Sequence, residues 1–164
     1  MPLTTDLPDA AATDALGFAL GTLLFPGAVV ALNGQLGAGK TRLVRAIAAG
    51  LGVRNLAAVN SPTFALIQEY AARLPIAHFD TYRLGSAREF AELGVEEYFA
   101  AGGVCLIEWA DKVEGLLPAD RLTVTLTVTG EMSRTATFVA GGPRHATLIA
   151  ELRVGGSDGE PVNH

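Results

Sequence analysis

Val29-Val30-Ala31-Leu32-Asn33-Gly34-Gln35-Leu36-Gly37-Ala38-Gly39-Lys40-Thr41 runs an apolar stretch straight into a loop with glycine at three of six positions, closing on lysine and threonine. Residues 28–32 read as a buried strand. Residues 33–39 read as a loop, and residues 40–51 carry helical periodicity stopped by Gly52, so the order is strand, glycine-rich loop, helix.

Residues 34–41 fit G-x-x-x-x-G-K-[ST] in full. In that pattern glycines adopt positive φ and let the backbone approach an anion closely, so that successive N–H groups and the following helix N-terminus surround phosphate. Gly34, Gln35, Leu36, Gly37, Ala38, Gly39, Lys40, Thr41 and the next helical residue, Arg42, are therefore the expected nucleotide-binding set. Lys40 is expected on the β and γ phosphates and the Thr41 hydroxyl on Mg2+, the cofactors being a nucleoside triphosphate and magnesium.

Outward from the loop, residues 9–24 carry apolar side chains at near-helical spacing and stop at Pro26-Gly27. Residues 53–63 look irregular. Residues 64–70 and 75–80 read as an antiparallel hairpin, residues 87–101 as a helix broken near Gly94, and residues 104–107 as a buried strand. Residues 121–129 and 135–140 suggest two further strands, and residues 144–152 a closing helix. Strands alternating with helices, then strands in succession, predict an α/β fold: a single P-loop NTPase-like domain, residues 1–154, with a mixed parallel and antiparallel sheet flanked by helices. Residues 155–164 are polar and expected to form a disordered tail.

Composition removes several function classes. The 164 residues carry a net charge of −5, and ten arginines and two lysines are scattered rather than clustered, so no electrostatic footprint for DNA or RNA is present. No segment approaches the roughly 18–20 apolar residues that span a bilayer. The single cysteine, Cys105, sits in the apolar run Val104-Cys105-Leu106-Ile107 and reads as a core residue. A cytoplasmic location is the expectation.

Hydrolysis needs acidic residues beyond the phosphate to hold magnesium and position water. Asp80 ends the run Ile76-Ala77-His78-Phe79, and Glu108 ends Val104-Cys105-Leu106-Ile107. Both strand ends converge on the phosphate region if the two strands lie parallel beside the loop strand; either acid then serves the metal. His78 shares the face of Asp80 at a spacing of two, where it either orients that carboxylate or is a satisfied core histidine. In Asn60-Ser61-Pro62-Thr63-Phe64, Thr63 or Ser61 offers a hydroxyl to magnesium or the γ phosphate, or the segment is only a turn. Trp109 shields the site, contacts a partner or simply packs; Arg83 neutralises transition-state charge or pairs with a surface acid such as Glu89.

Taken in order, GQLGAGKT (34–41), NSPTF (60–64), HFDTYRL (78–84) and CLIEWADK (105–112) resemble the TsaE (formerly YjeE) family, bacterial ATPases of tRNA threonylcarbamoyladenosine modification. The resemblance runs from about residue 7 to about residue 134. It implies ATP as the nucleotide, Thr41 and Glu108 on magnesium, Asp80 in hydrolysis, and a switch-like SPTF loop containing Thr63. It further implies work with TsaB and TsaD. TsaD transfers threonylcarbamoyl to adenosine in tRNA, and a hydrolysis weak in the isolated protein resets that complex, so tRNA is met only indirectly. In such proteins adenine is bordered by positions matching Asp9-Ala10 and Gly130-Glu131. A small-molecule kinase and a non-hydrolysing nucleotide switch are the rival readings, although no arginine-rich lid segment is present.

Overall fold

The computed structural model describes residues 2–35, 37–60, 67–82, 84 and 86–157, with side chains through Arg153. In chain order the elements are β1 (Leu3–Leu7), α1 (Ala10–Leu23), β2 (Val29–Gly34), α2 (Lys40–Gly50), β3 (Ile67–Tyr70), β4 (Ile76–Asp80), α3 (Ala87–Ala91), α4 (Val95–Ala100), β5 (Val104–Glu108), β6 (Leu122–Val128), β7 (Arg134–Ala140) and α5 (Pro143–Ser157). Short 3₁₀ segments occupy Leu56–Ala58 and Ala110–Leu116.

The strands form one sheet in the order β1-β7-β6-β2-β5-β4-β3. Its centre, β6, β2, β5 and β4, is parallel, and β7, β1 and β3 pair antiparallel at the margins. Central parallel strands are covered on both faces and so read as continuous apolar runs. Val29 to Leu32 and Val104 to Ile107 are all buried for that reason. One face packs on α1, α2 and α5 through residues such as Leu32, Leu43, Ile47 and Leu106; the other packs Ala31, Phe79 and Ile107 against α3, α4 and the 3₁₀ segment Ala110–Leu116. Each fully buried Leu or Ile contributes roughly 1.5–3 kcal/mol.

Two contacts position the helix that follows the glycine-rich loop. Helix α1, N-capped by the Asp9 side chain on Ala12 N–H at 2.8 Å, lies on α2 at a separation only glycine permits. A Cβ added at Gly21 would stand 2.2 Å from the Ile47 carbonyl oxygen, and one at Gly50 2.2 Å from that of Phe18. At the other end of α1, Arg73 donates to the carbonyls of Gly21 and Leu24 at 3.1 Å each, satisfying terminal acceptors from outside the helix.

The α/β class and the mixed, helix-flanked sheet agree with the sequence expectation. Three particulars differ. β1 was not foreseen: Leu3–Leu7 is a short edge strand of alternating burial that exists only by pairing with β7, 127 or more positions downstream. β2 continues two residues into the expected loop, because Asn33 and Gly34 pair with Thr125 and Leu126 of β6. α5 runs from Pro143 to Ser157, longer than the closing helix expected over residues 144–152. Residues 64–66 of the expected hairpin, and 158–164 of the expected tail, lie outside the described residues.

Candidate functional site

Strand register brings the site together. In the parallel core Leu32 pairs with Glu108 and Glu108 with Asp80, so β2, β5 and β4 end side by side where the glycine-rich loop begins. Residues at alternate positions share a face, which puts His78, Asp80 and Glu108 on the side of the sheet covered by α2.

The loop has the backbone that its glycines allow. Gly34, Gly37 and Gly39 have φ of 150°, 82° and 101°, a region costly for residues with a Cβ. A Cβ on Gly34 would stand 2.8 Å from the Leu126 carbonyl oxygen, whereas at Gly37 and Gly39 the corresponding space is open. Gly39 caps α2 without a side-chain acceptor. The N–H groups of Lys40, Thr41 and Arg42 open the helix and have no acceptor within it, so the helix end offers donors and a partial positive charge to the space above the loop.

Lys40 is 5% exposed, and its Nζ donates to the carbonyls of Gly34 at 2.6 Å and Gln35 at 2.9 Å. The same ammonium lies 3.8 Å from the ring centroid of Trp109. Burial lowers the Lys40 pKa, opposed by the charges of Glu108, Asp80 and Asp111. Trp109 is the only non-glycine residue with positive φ among those described, at 58°. That backbone turn directly after β5 puts its indole against Lys40 and 4.9 Å from the Tyr82 ring.

Thr41 Oγ1 donates to Glu108 Oε1 at 2.9 Å, and Glu108 Oε2 meets His78 Nε2 at 2.6 Å. His78 is fully buried and Glu108 is 2% exposed. His78 was expected to orient Asp80 or to be a satisfied core histidine; it is buried with partners at both ring nitrogens, and the carboxylate it meets is Glu108 on the neighbouring strand, not Asp80. Asp80 accepts the Tyr82 N–H at 2.9 Å. Burial raises its pKa, with the charge of Glu108 adding and the Tyr82 N–H, His78 and Lys40 opposing.

The remaining expectations divide. Gly34, Gln35, Gly37, Ala38 and Gly39 line the loop beside Lys40 and Thr41. Arg42 sends its guanidinium to Asp14 of α1 in a bidentate pair at 2.9 and 2.8 Å, which leaves its backbone N–H as its contribution to the helix end. Gly130 lies in the β6–β7 turn. Leu36, Ser61, Thr63 and Arg83 lie outside the described residues. Cys105 is buried with its thiol pushed up to about 12 by burial, an inert core residue.

Arg134 was not singled out in the sequence. Its guanidinium donates to the carbonyls of Ala38 and Gly37 at 3.2 Å each, and to those of Gly130 at 3.1 Å and Ser133 at 2.8 Å. One side chain therefore ties the loop to the β6–β7 turn, 96 and 97 positions away. Asn33 similarly accepts the Asp111 N–H at 2.9 Å, and Tyr70 Oη lies 3.2 Å from His78 Nδ1. Neither Arg134 nor Tyr70 belongs to a local pattern that singles it out.

Among the described residues no three His, Cys, Asp or Glu side chains converge as a ready-made metal cage. A hydroxyl beside one or two carboxylates suits magnesium, which keeps most of its waters and completes its shell with substrate phosphates. No helix among the described residues is long and apolar enough to cross a membrane.

The model of the family described as threonylcarbamoyl adenosine biosynthesis protein TsaE matches residues 7–136. The tRNA threonylcarbamoyladenosine biosynthesis protein TsaE of Bacillus subtilis (strain 168) is 45% identical over 128 residues, 77% of this chain and 78% of the relative. The protein of the same name from Treponema pallidum (strain Nichols) is 41% identical over 121 residues, 74% of this chain and 88% of the relative. The crystal structure of Bacillus subtilis YdiB superposes with a TM-score of 0.81 at 35% identity, covering 95% of this chain and 97% of that one. With the matched region spanning the glycine-rich loop, both strand-end acids and the Arg134 tether, the chain belongs to the TsaE family.

Proposed function

We propose that this chain is a magnesium-dependent ATPase of tRNA N6-threonylcarbamoyladenosine biosynthesis, whose hydrolysis resets a complex of TsaB and TsaD. The observation that carries the reading is the contact of Thr41 with Glu108 beside Lys40 at the mouth of α2, a hydroxyl, a carboxylate and an ammonium around one helix N-terminus. The loop amides and the α2 N-terminus bind the triphosphate. Lys40 exchanges its carbonyl contacts for β and γ phosphate oxygens, held from behind by Trp109. Thr41 and Glu108 hold magnesium, which when bound neutralises charge developing on the phosphates. Asp80, on the strand beside Glu108, orients the attacking water. Thr63 and Gly130 complete the reading as a γ-phosphate contact and an adenine neighbour. Cytoplasmic work on tRNA through partners suits a chain with a net charge of −5.

The test is phosphate release from ATP by the chain alone and with TsaB and TsaD, for wild type, Asp80→Ala and Glu108→Ala. Slow release alone, stimulated by the partners and lost in both variants, is the expected result. Transfer to a small acceptor would move the assignment to a kinase, and tight binding without release would move it to a nucleotide switch.

A further inference from the structure

Among the described residues, the two carboxylate oxygens of Glu108 meet different partners. Oε1 accepts from Thr41 on the helix after the glycine-rich loop, and Oε2 lies 2.6 Å from His78 Nε2 on the adjoining strand. The other imidazole nitrogen, Nδ1, lies 3.2 Å from the Tyr70 hydroxyl. That hydroxyl also approaches Gln68 Oε1 and, at 3.4 Å, the carbonyl of Asn60. A tyrosine hydroxyl carries one proton and two lone pairs, so Tyr70 bonds Gln68 Oε1 by its shortest contact and still holds the Nδ1 edge of the imidazole in place. The sequence places none of these four groups near another: Tyr70, His78, Glu108 and Thr41 come from β3, β4, β5 and α2.

We infer that His78, oriented by Tyr70, is the positioning residue that fixes the rotamer of Glu108, leaving one oxygen for Thr41 and the metal. The inference rests on the magnesium reading above. A buried glutamate has three rotatable bonds, and with Oε2 pinned its Oε1 stays within 2.9 Å of Thr41. His78 and Tyr70 touch neither nucleotide nor metal in this arrangement; they act through the carboxylate, as partners behind a metal ligand do. The backbone contact to Asn60 ties the same network to the chain immediately before residues 61–66.

The test is equilibrium binding of a fluorescent, slowly hydrolysed ATP analogue in excess Mg2+ and in EDTA, for wild type, His78→Leu, His78→Gln and Tyr70→Phe, together with Mn2+ titration followed by electron paramagnetic resonance. Loss of an outer partner lowers metal affinity about 10–100-fold. His78→Leu is therefore expected to lose about tenfold of the Mg2+-dependent gain in nucleotide affinity and of Mn2+ affinity, with binding in EDTA within about twofold of wild type. His78→Gln, whose amide nitrogen can reach Glu108, is expected to restore most of the gain, and Tyr70→Phe to lose about threefold. Affinity reduced equally with Mg2+ and EDTA, or a wild-type gain in His78→Leu, overturns the inference. If His78→Leu does not fold, Tyr70→Phe decides, and an unchanged gain there overturns it. Absence of any Mg2+-dependent gain in wild type overturns the magnesium reading itself, and the inference with it.

Discussion

Thr41 and Glu108, 67 positions apart, meet at 2.9 Å between hydroxyl and carboxylate. Parallel register delivers the pair: β5 ends at Glu108 opposite Leu32, two residues before β2 runs into the glycine-rich loop that leads to α2. Glu108→Gln keeps the size and the oxygen that accepts from Thr41 but removes the charge. Its phosphate release from ATP in saturating Mg2+ should fall about 10²–10³-fold, the scale for losing one preorganised electrostatic contact. Binding in EDTA should hold near wild type. Parallel rate and binding measurements check this, and a wild-type rate would remove Glu108 from the metal.

Arg134 braces the loop from behind, with its guanidinium on the carbonyls of Gly37 and Ala38 and of the β6–β7 turn. Arg134→Met keeps the aliphatic stem and loses those bonds. The loop must then be ordered by the ligand, so nucleotide affinity should fall about tenfold, equivalent to about 1.4 kcal/mol. A titration at fixed Mg2+ checks it. The melting temperature should change little, because the lost bonds are partly solvated.

Part of this site was legible in the sequence because its physics is local. The glycines and Lys40-Thr41 sit in eight consecutive positions, and the acids Asp80 and Glu108 each close an apolar run, so their types and places follow from backbone needs and strand length. The pairing of Glu108 with Thr41 and His78 follows instead from strand order, β2-β5-β4, which no single segment encodes. His78 was read as orienting Asp80 or as a satisfied core histidine; it is fully buried, and its carboxylate partner, Glu108, lies on the neighbouring strand rather than its own. Arg134 and Tyr70 were missed for the same reason, each being ordinary in its own strand and informative only through a distant contact. β1 escaped notice because five half-polar residues carry little signal without β7 beside them.

Close approach of α1 to α2 fixes the seat of the glycine-rich loop. Gly21→Ala would put a methyl 2.2 Å from the Ile47 carbonyl oxygen, a backbone atom that cannot move away as a flexible side chain would. Overpacking costs about 1–3 kcal/mol, sometimes more. In a domain of this size each kcal/mol lowers Tm by about 2–4 °C. Gly115→Ala, where nothing lies within 4 Å of the added atom, is the matched control and should melt like wild type. Thermal unfolding of the two variants side by side checks the contrast.

His145 makes stability pH-dependent at the far end of the sheet. It is 1% exposed, its Nε2 accepts the Val29 N–H at 3.2 Å, and its Nδ1 lies 2.8 Å from Asp120 Oδ1. The ring is thus neutral, donating from Nδ1 and accepting at Nε2; a second proton would place N–H against N–H. Burial lowers the His145 pKa below its ordinary value of 6.5; the Asp120 bond opposes this and the Arg144 charge adds to it. The unfolded chain therefore takes up the proton first as pH falls. Stability from this group is full above about pH 6.5 and is lost below it, as linkage requires. Asp120 adds a second, lower window: burial raises its pKa, yet bonds from His145 and the Arg144 N–H outweigh that and hold it below its usual 3.8, so its contribution fades only as pH falls under that value. His145→Gln offers an amide donor and acceptor without the titration. It should be less stable than wild type at pH 7.5, yet lose less between pH 7.5 and 5.5. Urea midpoints of both proteins at the two pH values measure the difference, and equal slopes would show that His145 is not the titrating group.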